Sequence, residues 1–268
     1  MPGRDTIRVG AGAEGLQRVE AYFSARGFEP HRHDTYGIGI TTQGVQTFRY
    51  RGEQRVGRPG QLHVLHPDEL HDGAAATDEG FRYRIVYVAP DLIRGALDDR
   101  ALPFVREPIQ DQTPASQRVA TLLHDIDEPI TELARVEAAA DLADLLTHLS
   151  GRPARRPILI DRTAVAAVRD YLDAHAGEPT PSRMLEQVAG LDRFTLARQF
   201  RQAYGTSPDR YRTLRRLDVV RAAIQAGTPL ARAAAEAGFA DQSHLTRQFK
   251  RAYGITPARW AGALRSAT

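Results

Sequence analysis

Hydrophobic and polar positions follow two different periods along the chain. Between residues 36 and 90, aromatic and β-branched residues are concentrated at 36–42 and 47–50, and residues 82–88 alternate before they become apolar. Glycines and a Pro-Gly pair interrupt these segments at turn-like intervals. This pattern predicts short strands that form an antiparallel β-barrel or a sandwich.

Helical spacing replaces the strand pattern after residue 90. Apolar residues recur every three or four positions, which predicts helices over 91–99, 114–127 and 132–149. Two outcomes are open for the broad apolar stripe of helix 132–149. It packs on the strands of its own chain, or it pairs with a second copy, and packing within the chain is the more common outcome.

The second half of the chain contains a duplication. Residues 196–211 read LARQFRQAYGTSPDRY and residues 245–260 read LTRQFKRAYGITPARW, with an offset of 49 and nine of sixteen positions identical. The first part of each copy lies in the second helix of a predicted helix-turn-helix unit. The two units span 182–204 and 230–253, and in each a three- or four-residue turn with glycine separates two helices. We predict Ser182 as an N-cap, Gly205 and Gly254 as helix ends, and a connecting helix over 209–226.

Periodicity gives the second helix of each unit a core side and an outward side. The predicted core positions are Leu196, Phe200 and Ala203 in the first copy and Leu245, Phe249 and Ala252 in the second. The outward side is basic, with Arg198 and Arg201 in the first copy and Arg247 and Lys250 in the second. Because this side of a helix-turn-helix enters the major groove, we expect Arg198 and Arg247 to contact base edges. Arg201 and Lys250 are expected to contact phosphates.

Composition agrees with a division of the chain into two functions. The net charge of the 268 residues is only +3, but residues 151–268 carry 20 basic and 10 acidic side chains, and residues 1–150 carry 16 and 23. The halves therefore differ in sign, at +10 and −7, which suggests that the second half meets a polyanion. The absence of cysteine excludes disulfides, thiolate metal sites and a cysteine nucleophile. Without an apolar leader or a long apolar run, we expect a cytoplasmic protein and no membrane partner.

Five of the nine histidines lie between residues 31 and 71. His31 and His33 are two positions apart, which on a strand puts both imidazoles on one side. His31, His33 and His71 match the three histidines of a cupin metal site, but the glutamate expected after His33 is missing. Three interpretations stay open: a divalent metal on these histidines, a metal-free pocket lined by them for a small polar ligand, or a structural role.

The motifs resemble a known family. Residues 161–265 are similar to the DNA-binding domain of AraC/XylS-type transcription regulators, most clearly in the segment AGFADQSHLTRQFKRAYGITP at 237–257. The patterns HxHDxYxxG at 31–39 and PGxLxxxxPxExH at 59–71 resemble the cupin-like sensor of the same family. The resemblance implies an α+β two-domain fold. The cupin-like antiparallel β-barrel with trailing helices spans 1–150, the linker spans 151–160, and the all-α double helix-turn-helix domain spans 161–268.

The resemblance also implies site residues and partners. The predicted DNA-binding set is Phe194, Thr195, Ala197, Arg198, Arg201, Gln242, Ser243, His244, Thr246, Arg247 and Lys250. The predicted effector-binding set is His31, His33, Tyr36, His66, Glu69 and His71. The expected partners are double-stranded DNA, a small-molecule effector, RNA polymerase and a second copy that pairs through helices near 115–127 and 132–149.

These expectations describe a sequence-specific transcription regulator, most simply an effector-responsive activator, that is not an enzyme and requires no cofactor. A metal-dependent cupin enzyme with an accessory DNA-binding domain is the first alternative, which the missing glutamate disfavours. A non-specific architectural DNA binder is the second. The duplicated recognition units disfavour it, because proteins that read only DNA shape need no such register.

Overall fold

The structure is a computed structural model that describes residues 4–24, 27–152 and 159–266. The chain divides into two compact units, residues 1–156 and 157–268. Residues 153–158 of the predicted linker lie outside the described residues. Within the described ranges, no helix is both long enough and apolar enough to cross a membrane.

The N-terminal unit is built from two antiparallel sheets, which confirms the predicted strand-rich fold. Its strands are β1 (Thr6–Val9), β2 (Leu16–Phe23), β3 (Phe28–His31), β4 (Tyr36–Gly44), β5 (Gln46–Tyr50), β6 (Glu53–Gly57), β7 (Leu62–Leu65), β8 (His71–Ala75), β9 (Phe81–Val88) and β10 (Ile109–Gln110). One sheet has the order β1-β2-β9-β4-β7-β10, and the other has the order β3-β8-β5-β6.

The pairing of β2 with β9 lies in the interior of the larger sheet. Ile85, Tyr83 and Phe81 on β9 lie directly opposite Val19, Ala21 and Phe23 on β2, and all six side chains are buried in one cluster. Opposed aromatic and β-branched pairs of this kind stabilise an antiparallel sheet. The alternation predicted for residues 82–88 therefore marks the inward face of β9.

Three helices accompany the sheets: α1 (Pro90–Ala96), α2 (Pro114–His124) and α3 (Glu132–Leu149). α3 has the predicted bounds and packs on α1 and α2, so its apolar stripe is buried within the chain. α1 ends three residues earlier than predicted, because Asp98 and Asp99 both adopt a left-handed conformation with φ of 55°.

α2 also ends three residues early, where two arginines from the larger sheet bind its C-terminal carbonyls. Arg18 on β2 is 3% exposed and donates to the carbonyls of Leu122 and Asp125 at 3.1 and 2.9 Å, and also to that of Glu128. Arg84 on β9 donates to the carbonyl of Leu123 at 3.2 Å. Carbonyls at a helix end have no partner inside the helix, so these contacts fix the α2–α3 connection to the sheet.

The C-terminal unit is entirely helical in the described residues. Its elements are α4 (Arg162–Ala174), α5 (Ser182–Ala189), α6 (Arg193–Tyr204), α7 (Pro208–Gln225), α8 (Leu230–Glu236), α9 (Gln242–Tyr253) and α10 (Pro257–Ser266). The two predicted helix-turn-helix units are confirmed as α5–α6 and α8–α9, each within one residue of the predicted bounds. α4 and α10 were not predicted as separate helices.

Equivalent aspartates cap both recognition helices. The Asp192 carboxylate accepts hydrogen bonds from the backbone N–H groups of Phe194 and Thr195 at 3.0 Å, and Asp241 accepts one from His244 at 2.6 Å. The prediction that Ser182 caps α5 is wrong. Pro181 occupies that position without a side-chain cap, and Ser182 is the buried first residue of the helix.

Two buried arginines tie the connecting helix α7 to the chain ahead of the first helix-turn-helix unit and to the turn of the second. Arg212 donates from Nε to the carbonyl of Ala176 at 3.2 Å and also to that of Glu178. Arg216 donates to the carbonyl of Ala237 at 2.8 Å, and its guanidinium lies 4.0 Å from the centre of the Phe239 ring. Burial lowers the pKa of Arg216 to about 10, so the side chain stays charged near neutral pH.

Candidate effector cavity and nucleic-acid interface

The two sheets of the N-terminal unit meet around a narrow cavity of about 20 Å³. Side chains from β3, β5 and β8 line one side, and side chains from β7 and β9 line the other. The lining residues are Phe28, His31, Gln46, Phe48, His63, Leu65, His71, Asp72, Gly73, Phe81, Tyr83, Ile85 and Tyr87. A space of this size holds about one water molecule, so a larger ligand would require the lining side chains to move.

Three of the predicted site histidines meet beside this cavity. The ring centroids of His31 and His71 are 4.4 Å apart, those of His33 and His71 are 4.9 Å apart, and those of His31 and His33 are 6.2 Å apart. The prediction that His31 and His33 share a strand is wrong, because β3 ends at His31. The pairing of His31 with His71 across β3 and β8 brings the rings together instead.

All three imidazoles use Nδ1 in the same way. His31 Nδ1 lies 3.0 Å from the carbonyl of Glu29, His33 Nδ1 lies 2.8 Å from that of Thr35, and His71 Nδ1 lies 2.9 Å from that of Glu69. A carbonyl can only accept, which assigns the ring proton to Nδ1 and leaves Nε2 as an acceptor. His33 Nε2 is buried with no hydrogen-bond partner among the described residues.

The structure gives the metal interpretation no support. In the described part of the chain, no three His, Asp or Glu side chains are placed to hold a metal ion together. The glutamate expected after His33 is absent, and Tyr36, Gly37 and Ile38 occupy those positions. A ring that donates from Nδ1 to a carbonyl leaves Nε2 able to accept a hydrogen bond or to ligate a metal, so the tautomer alone does not separate these two interpretations.

The other half of the predicted effector set does not line the cavity. The Glu69 carboxylate accepts from Arg51 Nε at 2.8 and 2.9 Å, and Arg51 lies between the rings of Tyr50 and Phe104. His66 Nε2 accepts from the backbone N–H of Val105 at 3.1 Å. Tyr36 is buried, and its hydroxyl donates to the carbonyl of Pro103 at 3.3 Å.

Tyr36 and His66 therefore hold the segment 103–106 directly, and Glu69 does so through Arg51, which donates to the carbonyls of Val105 and Arg106 at 3.0 Å. Their assignment to the effector set is not supported by their positions, because spacing alone cannot tell a side chain that faces the cavity from one that faces a loop. The residues missed were Gln46, His63 and the aromatic side chains of the cavity. The alternation at 81, 83, 85 and 87 was the signal that would have found Tyr83 and Tyr87.

Burial keeps two imidazoles of the N-terminal unit, those of His63 and His66, uncharged. It lowers the pKa of His63 to about 3 and that of His66 to about 4. The ordinary value is about 6.5, so both rings are neutral at pH 7. Burial also raises the pKa values of Tyr83 and Tyr87, so both phenols keep their protons.

These pKa shifts make the N-terminal unit sensitive to acid. Both histidines have folded-state pKa values below the unfolded value, so the unfolded state binds more protons between pH 6.5 and about 4. The stability is fully present above pH 6.5, and we expect each histidine to remove about 1.4 kcal/mol per pH unit as the pH falls through this window. Urea unfolding at several pH values measures the slope, and His63→Gln should reduce it. An identical slope in His63→Gln would contradict the contribution of His63 to the acid sensitivity.

The second recognition helix, α9, presents an exposed polar and basic side. Gln242, Ser243, Arg247 and Lys250 are exposed, as predicted. The other two predicted residues of this helix are half-buried. The His244 ring lies edge-on to Phe239 with centroids 5.3 Å apart, and the Thr246 hydroxyl donates to the carbonyl of Gln242 at 2.8 Å.

The first recognition helix, α6, is buried on more sides than α9. Residues 196–200 are all buried, so the prediction that Ala197 and Arg198 are exposed is wrong: they are 4% and 9% exposed. Periodicity assumes one buried face, and five consecutive buried positions exceed it. Phe194, Thr195 and Arg201 are half-buried, and Ala203, predicted as core, is exposed.

A cavity between antiparallel sheets, followed in the chain by two helix-turn-helix units, defines a ligand-binding domain combined with a DNA-binding domain. Residues 15–150, just over half of the chain, match the family model of an AraC-like ligand binding domain. Residues 185–263 match the model of a helix-turn-helix domain. The chain belongs to the AraC family and is a DNA-binding transcription regulator.

Individual proteins resemble this chain at low identity. The uncharacterized HTH-type transcriptional regulator YbfI of Bacillus subtilis strain 168 is 25% identical over 222 residues, which is 81% of each chain. The crystal structure of ToxT from Vibrio cholerae O395 is 10% identical, with a TM-score of 0.39, and covers 94% of this chain and 99% of that one. The DNA-binding domain of AdpA, crystallised with a target DNA, is 24% identical, with a TM-score of 0.36, and covers 39% and 95%.

Proposed function

We propose that the C-terminal unit reads a defined sequence in double-stranded DNA and that a small molecule held in the N-terminal cavity controls this binding, so that the protein activates transcription. The observation that carries the proposal is the exposed side of α9, with Gln242, Ser243, Arg247 and Lys250, in a helix-turn-helix unit that the chain contains twice. Arginine and glutamine pair bidentately with guanine and adenine edges in the major groove.

In this proposal the two recognition helices enter successive major grooves on one face of the duplex. The α9 residues supply most of the base contacts. Phe194, Thr195 and Arg201, which are half-buried on α6, form the second contact surface, in which Arg201 contacts phosphate. Such helices dock about 34 Å apart along the duplex, one helical turn.

Selection of binding sites from random duplexes tests the proposal. We expect the full chain to enrich a two-part motif whose halves lie about 10 base pairs apart. Enrichment of no motif, with equal binding to all sequences, would leave a non-specific binder.

The effector role rests on the cavity and on His31, His33 and His71 beside it, whose Nε2 atoms are acceptors. The protein then works by binding and not by catalysis, and it requires no cofactor. Contact with RNA polymerase and pairing with a second copy follow from the family resemblance alone. Because the apolar stripe of α3 is buried within the chain, a dimer through α2 and α3 would use their polar sides.

Lys250→Ala is expected to weaken binding to all DNA sequences alike. Lys250 is exposed in the last turn of α9, and a phosphate contact releases counterions without reading sequence. The slope of log K against log salt should become less steep by about one. Titrations at four salt concentrations, on the selected site and on random DNA, measure the slope. An unchanged slope would refute the phosphate contact.

A fragment that lacks residues 1–150 is expected to keep DNA binding. The C-terminal unit has its own core, in which Leu217, Val220, Leu245 and Phe249 are buried together. Gel-shift measurements at low salt would compare the fragment with the full chain. Loss of all binding by a fragment that retains its helical circular dichroism would contradict the separation of functions.

A further inference from the structure

We propose that Arg193 reads a guanine base in the major groove and that Glu186 holds the guanidinium of Arg193 in the orientation for this contact. The inference rests on the proposed function and deepens it, because it names a base reader in the first helix-turn-helix unit. Three features support it: the place of Arg193 in the repeat, the hydrogen bonds between the two side chains, and the edge of the guanidinium that these bonds leave over.

Arg193 occupies the position of the first recognition helix that corresponds to an exposed glutamine of the second. It is the first residue of α6, and the offset of 49 residues matches it with Gln242, the first residue of α9. Asp192 and Asp241 cap the two helices one residue earlier. The N-terminal residues of a recognition helix contact base edges, so Arg193 lies where the repeat places a base reader.

Glu186 on α5 holds the Arg193 side chain from one side. Its carboxylate accepts hydrogen bonds from Arg193 Nε at 3.1 Å and from Arg193 Nη2 at 3.0 Å. It also accepts one from the backbone N–H of Arg193 at 2.9 Å. Two parallel N–H···O bonds between planar groups fix the plane of the guanidinium as well as its position. The side chain is therefore oriented before DNA arrives.

The pairing leaves one edge of the guanidinium over. Arginine presents its N–H donors in a rigid fork, and the carboxylate uses only the donor on Nε and one of those on Nη2. The opposite edge, formed by Nη1 and the second hydrogen of Nη2, has no acceptor in the described part of the chain. The Arg193 side chain is 35% exposed. Two donors along one edge match the O6 and N7 acceptors of guanine.

The charge of the pair favours a base over a phosphate as its target. The Glu186 carboxylate lies 3.0 Å from the Arg193 guanidinium and cancels its charge. A phosphate would be repelled by the carboxylate as well as attracted by the guanidinium. Guanine carries no charge, and the geometry of two hydrogen bonds recognises it. A pair with no net charge and a fixed plane therefore suits a base edge.

The two copies of the unit differ at this place. Ala235 and Gln242 of the second unit stand where the first unit has Glu186 and Arg193. Glutamine pairs bidentately with adenine, whereas arginine pairs with guanine. The two half-sites should therefore differ at equivalent positions, with guanine opposite the start of α6 and adenine opposite the start of α9.

Binding of the full chain to single-base variants of the selected duplex tests the reader. Arg193→Met removes the guanidinium and should weaken binding to the selected duplex about ten-fold. On duplexes in which the guanine is already replaced, the same substitution should have no effect. Fluorescence anisotropy measures both affinities. If Arg193→Met discriminated among bases at every position as the wild type does, the role of Arg193 would be overturned.

Two further variants separate base reading from charge. Arg193→Lys keeps the charge but cannot form the bidentate contact, so it should bind random DNA as the wild type does and lose discrimination at the same position. Arg183→Met removes a charge at an exposed position of α5 and should change the affinity for all duplexes by one common factor. Thermal unfolding confirms that the variants fold. Wild-type discrimination in Arg193→Lys would identify a charge contact and overturn the base contact.

Glu186→Gln tests the positioning role of Glu186. The amide keeps the shape of the side chain but has only one acceptor oxygen, so the guanidinium is no longer held by two parallel bonds. The ratio of the affinities for the selected and the guanine-replaced duplex should fall, although removal of a negative charge raises the affinity for random DNA. In Arg193→Met, the added Glu186→Gln should leave this ratio unchanged. An unchanged ratio in Glu186→Gln alone would overturn the positioning role.

The outcomes separate this inference from the proposed function. A wild-type chain that selects a two-part motif, while Arg193→Met keeps full discrimination, contradicts the inference and leaves the regulator intact. A wild-type chain that selects no motif contradicts the proposed function itself, before any variant is compared.

Discussion

Replacing Arg247 with alanine is expected to weaken binding to the selected DNA site by about 1–3 kcal/mol, which is about 5- to 150-fold. Arg247 is exposed on α9, whose N-terminus Asp241 caps, and a bidentate arginine–guanine contact is worth this much discrimination. The variant should also tolerate any base at one position of the motif. Fluorescence anisotropy with the selected duplex, its single-base variants and random DNA measures both effects.

Arg232→Ala provides the control for charge. Arg232 lies on α8, where it is 73% exposed at the side chain and pairs with Glu236 at 2.7 Å. Its removal takes the same charge from the same unit, so any loss of affinity should be equal on all duplexes. If Arg247→Ala also lost affinity equally on selected and random DNA, Arg247 would be a phosphate contact and not a base reader.

Replacing Arg18 with methionine is expected to lower the free energy of unfolding of the N-terminal unit by about 3 kcal/mol. The change leaves the carbonyls of Ala11, Leu122, Asp125 and Glu128 without this donor in a buried place. Burial lowers the pKa of Arg18, but the partial charges of these carbonyls and the nearby carboxylates stabilise the guanidinium. Urea unfolding followed by circular dichroism measures the loss.

The control for Arg18 is its neighbour Arg8 on β1. The Arg8 side chain is 50% exposed and pairs with Asp127, so it reaches the same α2–α3 connection from solvent. Arg8→Met should cost at most about 1 kcal/mol, as exposed ion pairs do. The single tryptophan, Trp260, reports on the other unit, and its fluorescence transition should be the same in both variants. Equal losses of stability in Arg18→Met and Arg8→Met would contradict the claim that the buried position of Arg18 makes its contacts strong.

The helix-turn-helix units could be predicted almost to the residue because their signals are local. Glycine at the helix ends fixes the bounds of α6 and α9, since Gly205 and Gly254 adopt the left-handed conformation with φ of 69° and 76°. Because the repeat places the same signals 49 residues apart, each helix bound is indicated in both copies. The burial of Arg198 was not predictable in this way, because it depends on packing around the helix that its own sequence does not encode.

The cavity could be predicted only in part because its lining combines distant strands. His31 and His71 carried a motif and lie where the motif implied. Gln46 and His63 carried none, and only the packing of the sheet that contains β5 against the sheet that contains β7 brings them to one cavity. Glu69 carried a motif but pairs with Arg51, a contact between residues 18 positions apart that spacing alone does not show.

The two buried arginines of α7 limit how the regulatory DNA can change over time. Arg212 is tied to the chain ahead of the first helix-turn-helix unit, and Arg216 is tied to the turn of the second, so the separation of the recognition helices is built into one helix. One inserted base pair turns one half-site about 34° around the duplex relative to the other. Two recognition helices with a fixed separation cannot follow that rotation. Single-base insertions between the half-sites should therefore disappear from functional operators, while base substitutions there persist.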